Sequence, residues 1–215
     1  MAPSPPGGGP GRGRGRLSFV GLLKESELTE EQNLFTDRIQ RSSEKLRGII
    51  EDVLLIVKGE MGLIPVKYSN LNAGWLIKNI VPEVQQSMKD KQQTLKFNTN
   101  LDNIELDIRL TQMAFTRALH NATKFGLAGS EIVVLIYNDS YHKLIISIEN
   151  KGPRISDSII ENIMKPFQMD ENIMNHSVGM GLGLSICNTL LACQQASLKV
   201  QNTADGVVVF FRFRD

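Results

Sequence analysis

From Leu28 to Gly62 the chain carries apolar side chains at Phe35, Ile39, Leu46, Ile49, Val53 and Ile56, with Ser42 filling the remaining place in the series. Steps of four and three residues alternate along it, which is the heptad seam of a helical bundle. Thr29-Glu30-Glu31-Gln32 has the spacing of a capping box and sets the start of this helix. A helix of about 30 residues cannot shield such a seam alone. The shorter stub Leu17 to Lys24 supplies part of a partner, and a second copy of the chain supplies the rest. The alternative is that the long helix lies on its own globular domain.

Beyond Lys58 the pattern becomes mixed. Val66 to Tyr68 reads as a short strand, and Asn70 as the cap of a helix running to about Asp90. Thr94 to Thr99 is a strand. Arg109 to Phe125 is a helix with apolar positions at Leu110, Met113, Ala114, Ala118 and Leu119. Glu131 to Tyr137 and Leu144 to Glu149 are β-patterned and joined by the hairpin-like Asn138-Asp139-Ser140-Tyr141. A helix from about Ser156 to Met164 follows, then an irregular stretch from Gln168 to Val178. A glycine segment opens a helix to about Cys193, and Ser197 to Gln201 with Val207 to Phe213 form a closing hairpin. Helices mixed with antiparallel pairs predict an α+β fold, a two-layer α/β sandwich with one sheet face exposed or lightly covered.

Composition narrows the picture only a little. At 215 residues, 41% hydrophobic and 22% charged, the chain can bury one sizeable core plus a smaller helical element. A net charge of +1 gives no reason to expect nucleic acid or an anionic membrane as partner. No apolar run approaches the roughly 18 residues of a spanning helix. Cys187 and Cys193 fit neither a metal knuckle nor a disulfide framework, which points to a reducing, cytoplasmic setting. Met1 to Arg16 is almost wholly Pro, Gly, Ser and Arg and is expected to be disordered. It reads as a basic arm, as part of a leader to an organelle stroma or matrix, or as an appended or misassigned start.

Two short segments carry the chemistry. In His120-Asn121-Ala122-Thr123-Lys124-Phe125, the Asn121 carboxamide oxygen is a hard neutral ligand suited to Mg²⁺. Lys124 stands three residues on, on the same helix face, where it can reach a phosphate. In Val178-Gly179-Met180-Gly181-Leu182-Gly183-Leu184-Ser185, three glycines let backbone N–H groups approach an anion at a helix N-terminus. Either segment alone also fits a blander role, a tight helix cap or a surface Asn. The spacing is neither that of a P-loop nor that of a dinucleotide fold.

In order, the chain shows a helix bearing Asn121, a strand ending in Asn150-Lys151-Gly152-Pro153, a helix before Pro166-Phe167, and Gly179-Met180-Gly181-Leu182-Gly183-Leu184. This order resembles the catalytic ATP-binding domain of sensor histidine kinases, in the wider family shared with gyrase, Hsp90 and MutL. The likeness runs from about Lys67 to Arg214. Leu28 to Gly62, with its exit Val57-Lys58-Gly59-Glu60-Met61-Gly62, is similar to the second helix of the kinase dimerisation bundle.

That resemblance implies a disordered leader (1–16), an incomplete dimerisation hairpin (17–62) and an ATP-binding domain of the histidine kinase-like ATPase fold (63–215). The cofactors it implies are ATP and Mg²⁺. Asn121 would hold the metal and Lys124 the phosphates, both as catalytic positions. The nucleotide would be bound by His120, Asn121, Lys124, Asn150, Gly152, Ile155, Gly179, Gly181, Gly183 and Leu184. Pro166-Phe167 would flank a mobile lid from Gln168 to Val178. The family transfers the ATP γ-phosphoryl to a histidine nitrogen, mainly by positioning and charge neutralisation. Implied partners are a second copy through the Phe35 to Ile56 seam and a response regulator or phosphoacceptor domain. No contact with nucleic acid or membrane is implied.

The departures are specific. Asn150 stands where an adenine-reading aspartate is usual, and Arg154 replaces the second glycine of that box. The hairpin from Gly206 to Val209 has no Thr. Arg117 stands one helical turn before Asn121, where kinases usually have Asn and related ATPases Glu. The histidines are His120, His142 and His176, and none lies in the bundle segment. Three readings follow: the ATP-binding core of a histidine kinase, a degenerate regulator that binds ATP or a partner without phosphoryl transfer, and a scaffold whose glycine loop is only a cap.

Overall fold

The computed structural model describes residues 19–167 and 181–214. The expectations for the leader, the lid, Gly179 and His176 lie outside the described residues. The chain divides into two compact units, Met1–Glu51 and Asp52–Asp215.

The first unit holds α1 (Phe19–Lys24) and most of α2 (Glu30–Glu60). The capping box forms as its sequence requires. The Thr29 N–H donates to Gln32 Oε1 at 2.9 Å, and the Gln32 N–H donates back to Thr29 Oγ1 at 3.3 Å. Those two bonds satisfy amides that a helix start leaves open. Lys24 joins α1 to α2 through Asp37 Oδ1 and Gln40 Oε1, each at 2.6 Å. Phe35, Ile39 and Leu46 of the seam are half or more exposed. Ile56, the last seam position, is instead buried inside the second unit.

The second unit contains β1 (Tyr68–Asn72), α3 (Ala73–Asp90), β2 (Thr94–Thr99), β3 (Asn103–Asp107), α4 (Ile108–Phe125), β4 (Glu131–Asn138) and β5 (Leu144–Lys151). It continues with α5 (Asp157–Ile160), α6 (Gly183–Cys193), β6 (Ser197–Asn202) and β7 (Gly206–Arg212). The main sheet has strand order β2-β4-β5-β7-β6; β2 runs parallel to β4 and the other pairs are antiparallel. Ile132, Val134 and Ile136 on β4 alternate with half-exposed neighbours, so one sheet face is dry. Helices α3, α4 and α6 pack together over it. The core closes where the Phe115 ring of α4 meets Phe211 of β7 edge-on at 6.3 Å. This is the two-layer α+β sandwich that the pattern predicts.

Four local expectations are corrected. The first strand covers Tyr68–Asn72 rather than Val66–Tyr68. Asn72, not Asn70, caps α3: its side chain accepts from the Trp75 N–H at 3.2 Å, while Asn70 is paired with Glu105 in the β1–β3 ladder. Strand β3 was not anticipated, because five residues with only two apolar side chains, Ile104 and Leu106, give too short a signal. The helix expected from Ser156 to Met164 shortens to Asp157–Ile160 and continues as turns.

Both ends of α4 are fixed by side chains from elsewhere. At its start Asp107 accepts from the Leu110 N–H at 2.9 Å and from the Lys67 N–H at 2.7 Å. Buried Gln194 accepts from the Asp107 N–H and from the Thr111 hydroxyl. At its end the Lys91 ammonium donates to the carbonyls of Thr123, Lys124 and Gly126. A cation on those orphan carbonyls also complements the helix dipole. Gln93 adds bonds to the Thr123 and Leu127 carbonyls.

Candidate functional site

Helix α4 carries Asn121 one turn before its C-terminal end, half-buried, with His120 exposed beside it. Opposite lies the start of α6. A Cβ built on Gly183 would stand 3.2 Å from Asn121 Nδ2 and 3.5 Å from Oδ1, so the carboxamide rests against the bare backbone. Leu182, the residue preceding α6, offers no side-chain cap. Among the described residues no side chain caps the first amides of α6, the position where a helix start can receive an anion. An anion at this point would meet backbone N–H groups and the Asn121 carboxamide together.

Gly181 has φ +69°, a conformation that suits glycine, and its carbonyl accepts from the Phe167 N–H at 3.2 Å. The Pro166-Phe167 step and the glycine segment therefore meet at the two ends of the stretch 168–180. Leu184 is half-buried on the first turn of α6. Lys124 is exposed, with its ammonium 5.4 Å from the centroid of the Phe125 ring.

The residues expected on the base side gather at the end of β5. Asn150 is only 7% exposed, and its Nδ2 makes a long 3.4 Å bond to the Lys151 carbonyl. Gly152 leaves no room for a side chain: a Cβ there would lie 2.5 Å from the Phe125 carbonyl. Gly206 is tighter still, since its Cβ would lie 1.9 Å from the Asn150 carbonyl. The loop is closed by Gly152 N–H donating to the Asp205 carbonyl at 2.9 Å and by the Lys151–Asp205 ion pair at 2.9 Å. Ile155 is held by Asn202, which accepts from its N–H and donates to its carbonyl, both at 2.8 Å. Arg154 is exposed.

The structure thus brings Asn121 against Gly183 and Asn150 against Gly152 and Gly206. The last turn of α4 links the two groups. Sequence reasoning missed Lys91, Gln93 and Asn202, which hold backbone rather than ligand, and it missed the partner of Arg117. That partner is Asp52, whose carboxylate receives both guanidinium nitrogens, at 2.5 and 3.3 Å. Cys187 of α6 is fully buried, donates to the Ala114 carbonyl, and burial pushes its thiol up to about 12.

Among the described residues no three His, Cys, Asp or Glu side chains gather to hold a metal. A metal at Asn121 would draw its other ligands from phosphate and water, which suits Mg²⁺. No helix among the described residues is long and apolar enough to cross a membrane.

Residues 106–215 match the family described as histidine kinase-, DNA gyrase B- and HSP90-like ATPase. The chain is 28% identical over 196 residues to the sensor protein KdpD of Clostridium acetobutylicum, covering 88% of this chain and 21% of that one. It spans about a fifth of the length of the first curated relatives it matches. Full-length ShkA in complex with AMPPNP superposes with a TM-score of 0.80 at 20% identity, over 92% of this chain and 42% of that one. Histidine kinase ThkA in complex with response regulator TrrA superposes at 0.65 and 18% identity, over 91% and 56% of the chains. At such identities the structural likeness is one of fold. With Asn121 against Gly183, the helix-on-sheet fold and the family match over residues 106–215, the chain belongs to the histidine kinase-, DNA gyrase B- and HSP90-like ATPase family and carries a histidine kinase-type catalytic ATPase domain.

Proposed function

We propose that this chain is the ATP-binding core of a sensor histidine kinase in a two-component system. The observation that carries the reading is Asn121 seated against the start of α6 at Gly183. A magnesium-bound triphosphate is the ligand that uses both at once.

In this reading Asn121 supplies one oxygen to Mg²⁺, which would neutralise phosphate charge. Lys124 adds a cation near the phosphates, and His120 borders them. The α6 amides at Gly183 and Leu184, with Gly179 and Gly181, hold phosphate oxygens. Asn150, beside Gly152 and Ile155, accepts from the adenine amine. The chain's work is to place the γ-phosphoryl and screen its charge. An imidazole nitrogen forms the new N–P bond as the bond to the ADP oxygen breaks, and ADP leaves. The accepting histidine lies outside residues 17–62, which contain none.

A second copy through the exposed seam at Phe35, Ile39 and Leu46, and a response regulator or phosphoacceptor domain, are the partners of this reading. The ThkA–TrrA complex supports the regulator as a partner class. The setting is the cytoplasm. The test is transfer of γ-labelled phosphate to a dimerisation bundle supplied in trans with an intact histidine. Acid-labile, base-stable label on the bundle is expected. ATP binding without transfer would leave the degenerate regulator.

A further inference from the structure

Arg117 and Asn121 are four residues apart on α4 and share a helix face. The guanidinium is turned to Asp52, with Nη2 2.5 Å from Oδ1 and Nη1 3.3 Å from Oδ2. Both side chains are mostly buried, 31% and 22% exposed. Asp52 opens the second compact unit within α2. The same helix stretch is held further along, where Ile56 is buried and Gly59 lies so near α6 that a Cβ would stand 2.1 Å from Thr189 Cγ2. The last turns of α2 are therefore fastened to α4 and α6, the two helices that present Asn121 and Gly183.

A guanidinium fork takes a carboxylate and a phosphate with the same paired geometry. Asp52 thus fills a fork that stands one turn from the proposed metal position. We propose that Arg117 is a binding residue for the terminal phosphoryl group of ATP, and that Asp52 latches it to α2 until a nucleoside triphosphate competes for the fork. This inference rests on the proposed nucleotide site. Competition for one fork makes the coupling reciprocal. ATP loosens the docked end of α2, and any movement of α2 that withdraws Asp52 strengthens ATP binding. ADP lacks the γ-phosphoryl and leaves the latch closed.

The experiment is calorimetric titration of the whole chain with Mg·ATP and with Mg·ADP, in wild type, Asp52→Asn, Arg117→Ala and the double variant. Asp52→Asn keeps shape and removes the charge. The expected result is ATP tightened relative to ADP by about fivefold or more in Asp52→Asn, with no such gain in the double variant. An unchanged ATP to ADP ratio in Asp52→Asn overturns the latch and leaves the nucleotide site standing. Failure of every form to bind either nucleotide overturns both. Should Asp52→Asn not fold, amide exchange in wild type decides: residues 52–60 exchange faster with Mg·ATP than with Mg·ADP, and equal protection overturns the latch.

Discussion

The carboxamide of Asn121 on α4 lies against Gly183 at the first position of α6, with Nδ2 3.2 Å and Oδ1 3.5 Å from where a Cβ would stand. Two segments more than sixty residues apart in the chain are joined there by the absence of one methyl group. A contact at 3.2 Å is tight, so Gly183→Ala moves the carboxamide by a few tenths of an ångström. Because small misplacements cost binding at such sites, ATP affinity falls about three- to tenfold with little change in melting temperature. Calorimetry beside thermal melting separates the two effects.

Gly152 and Gly206 face backbone rather than a flexible side chain. A Cβ at Gly206 would overlap the Asn150 carbonyl, and one at Gly152 the Phe125 carbonyl. Gly206→Ala and Gly152→Ala therefore destabilise the fold itself by about 2–3 kcal/mol. Urea unfolding midpoints check this, and unchanged midpoints would contradict the close packing described for β5 and β7.

In the proposed site Asn150 would meet the base with a neutral acceptor. Hydrogen bonds to charged groups contribute about 1.5–3 kcal/mol against about 0.5–1.5 for neutral pairs. Asn150→Asp is thus expected to tighten ATP about fivefold. Burying a carboxylate at a site 7% exposed also lowers the melting temperature of the free protein. Equal affinity in both forms would remove Asn150 from the base side.

The buried thiol of Cys187 makes a pH prediction. Burial raises its folded pKa from the ordinary 9.0 to about 12, against a smaller opposite pull from Arg117. A raised folded pKa gives stability that is full below pH 9 and is lost as the pH climbs toward 12. Cys187→Ala should flatten that alkaline loss while costing about 1–2 kcal/mol at neutral pH for the missing sulfur. Denaturant midpoints from about pH 8 to about pH 11 show it. The native thiol should also resist disulfide reagents that label half-exposed Cys193 first.

What was legible in the sequence was local or tied to a resemblance. The Thr29–Gln32 box formed as read because both partners lie within one helical turn. Helix α4 and the β4–β5 and β6–β7 hairpins follow from periodicity alone. The β1–β3 pair did not, since Tyr68 finds Asp107 across an intervening helix and strand. The candidate site was proposed from two segments, while the groups that hold those segments in place left no mark in the sequence. Lys91 caps carbonyls more than thirty residues away, and Asp52 meets Arg117 across 65 residues. A lone Lys or Asp on an exposed-patterned helix gives no sign of such a partner.

The central claim is that Asn121 and the start of α6 hold Mg·ATP. Its most direct measurement is calorimetric titration of Mg·ATP into wild type and Asn121→Ala. Micromolar binding that disappears in the folded variant is the predicted result. Equal binding by both forms, or none by wild type, would contradict it.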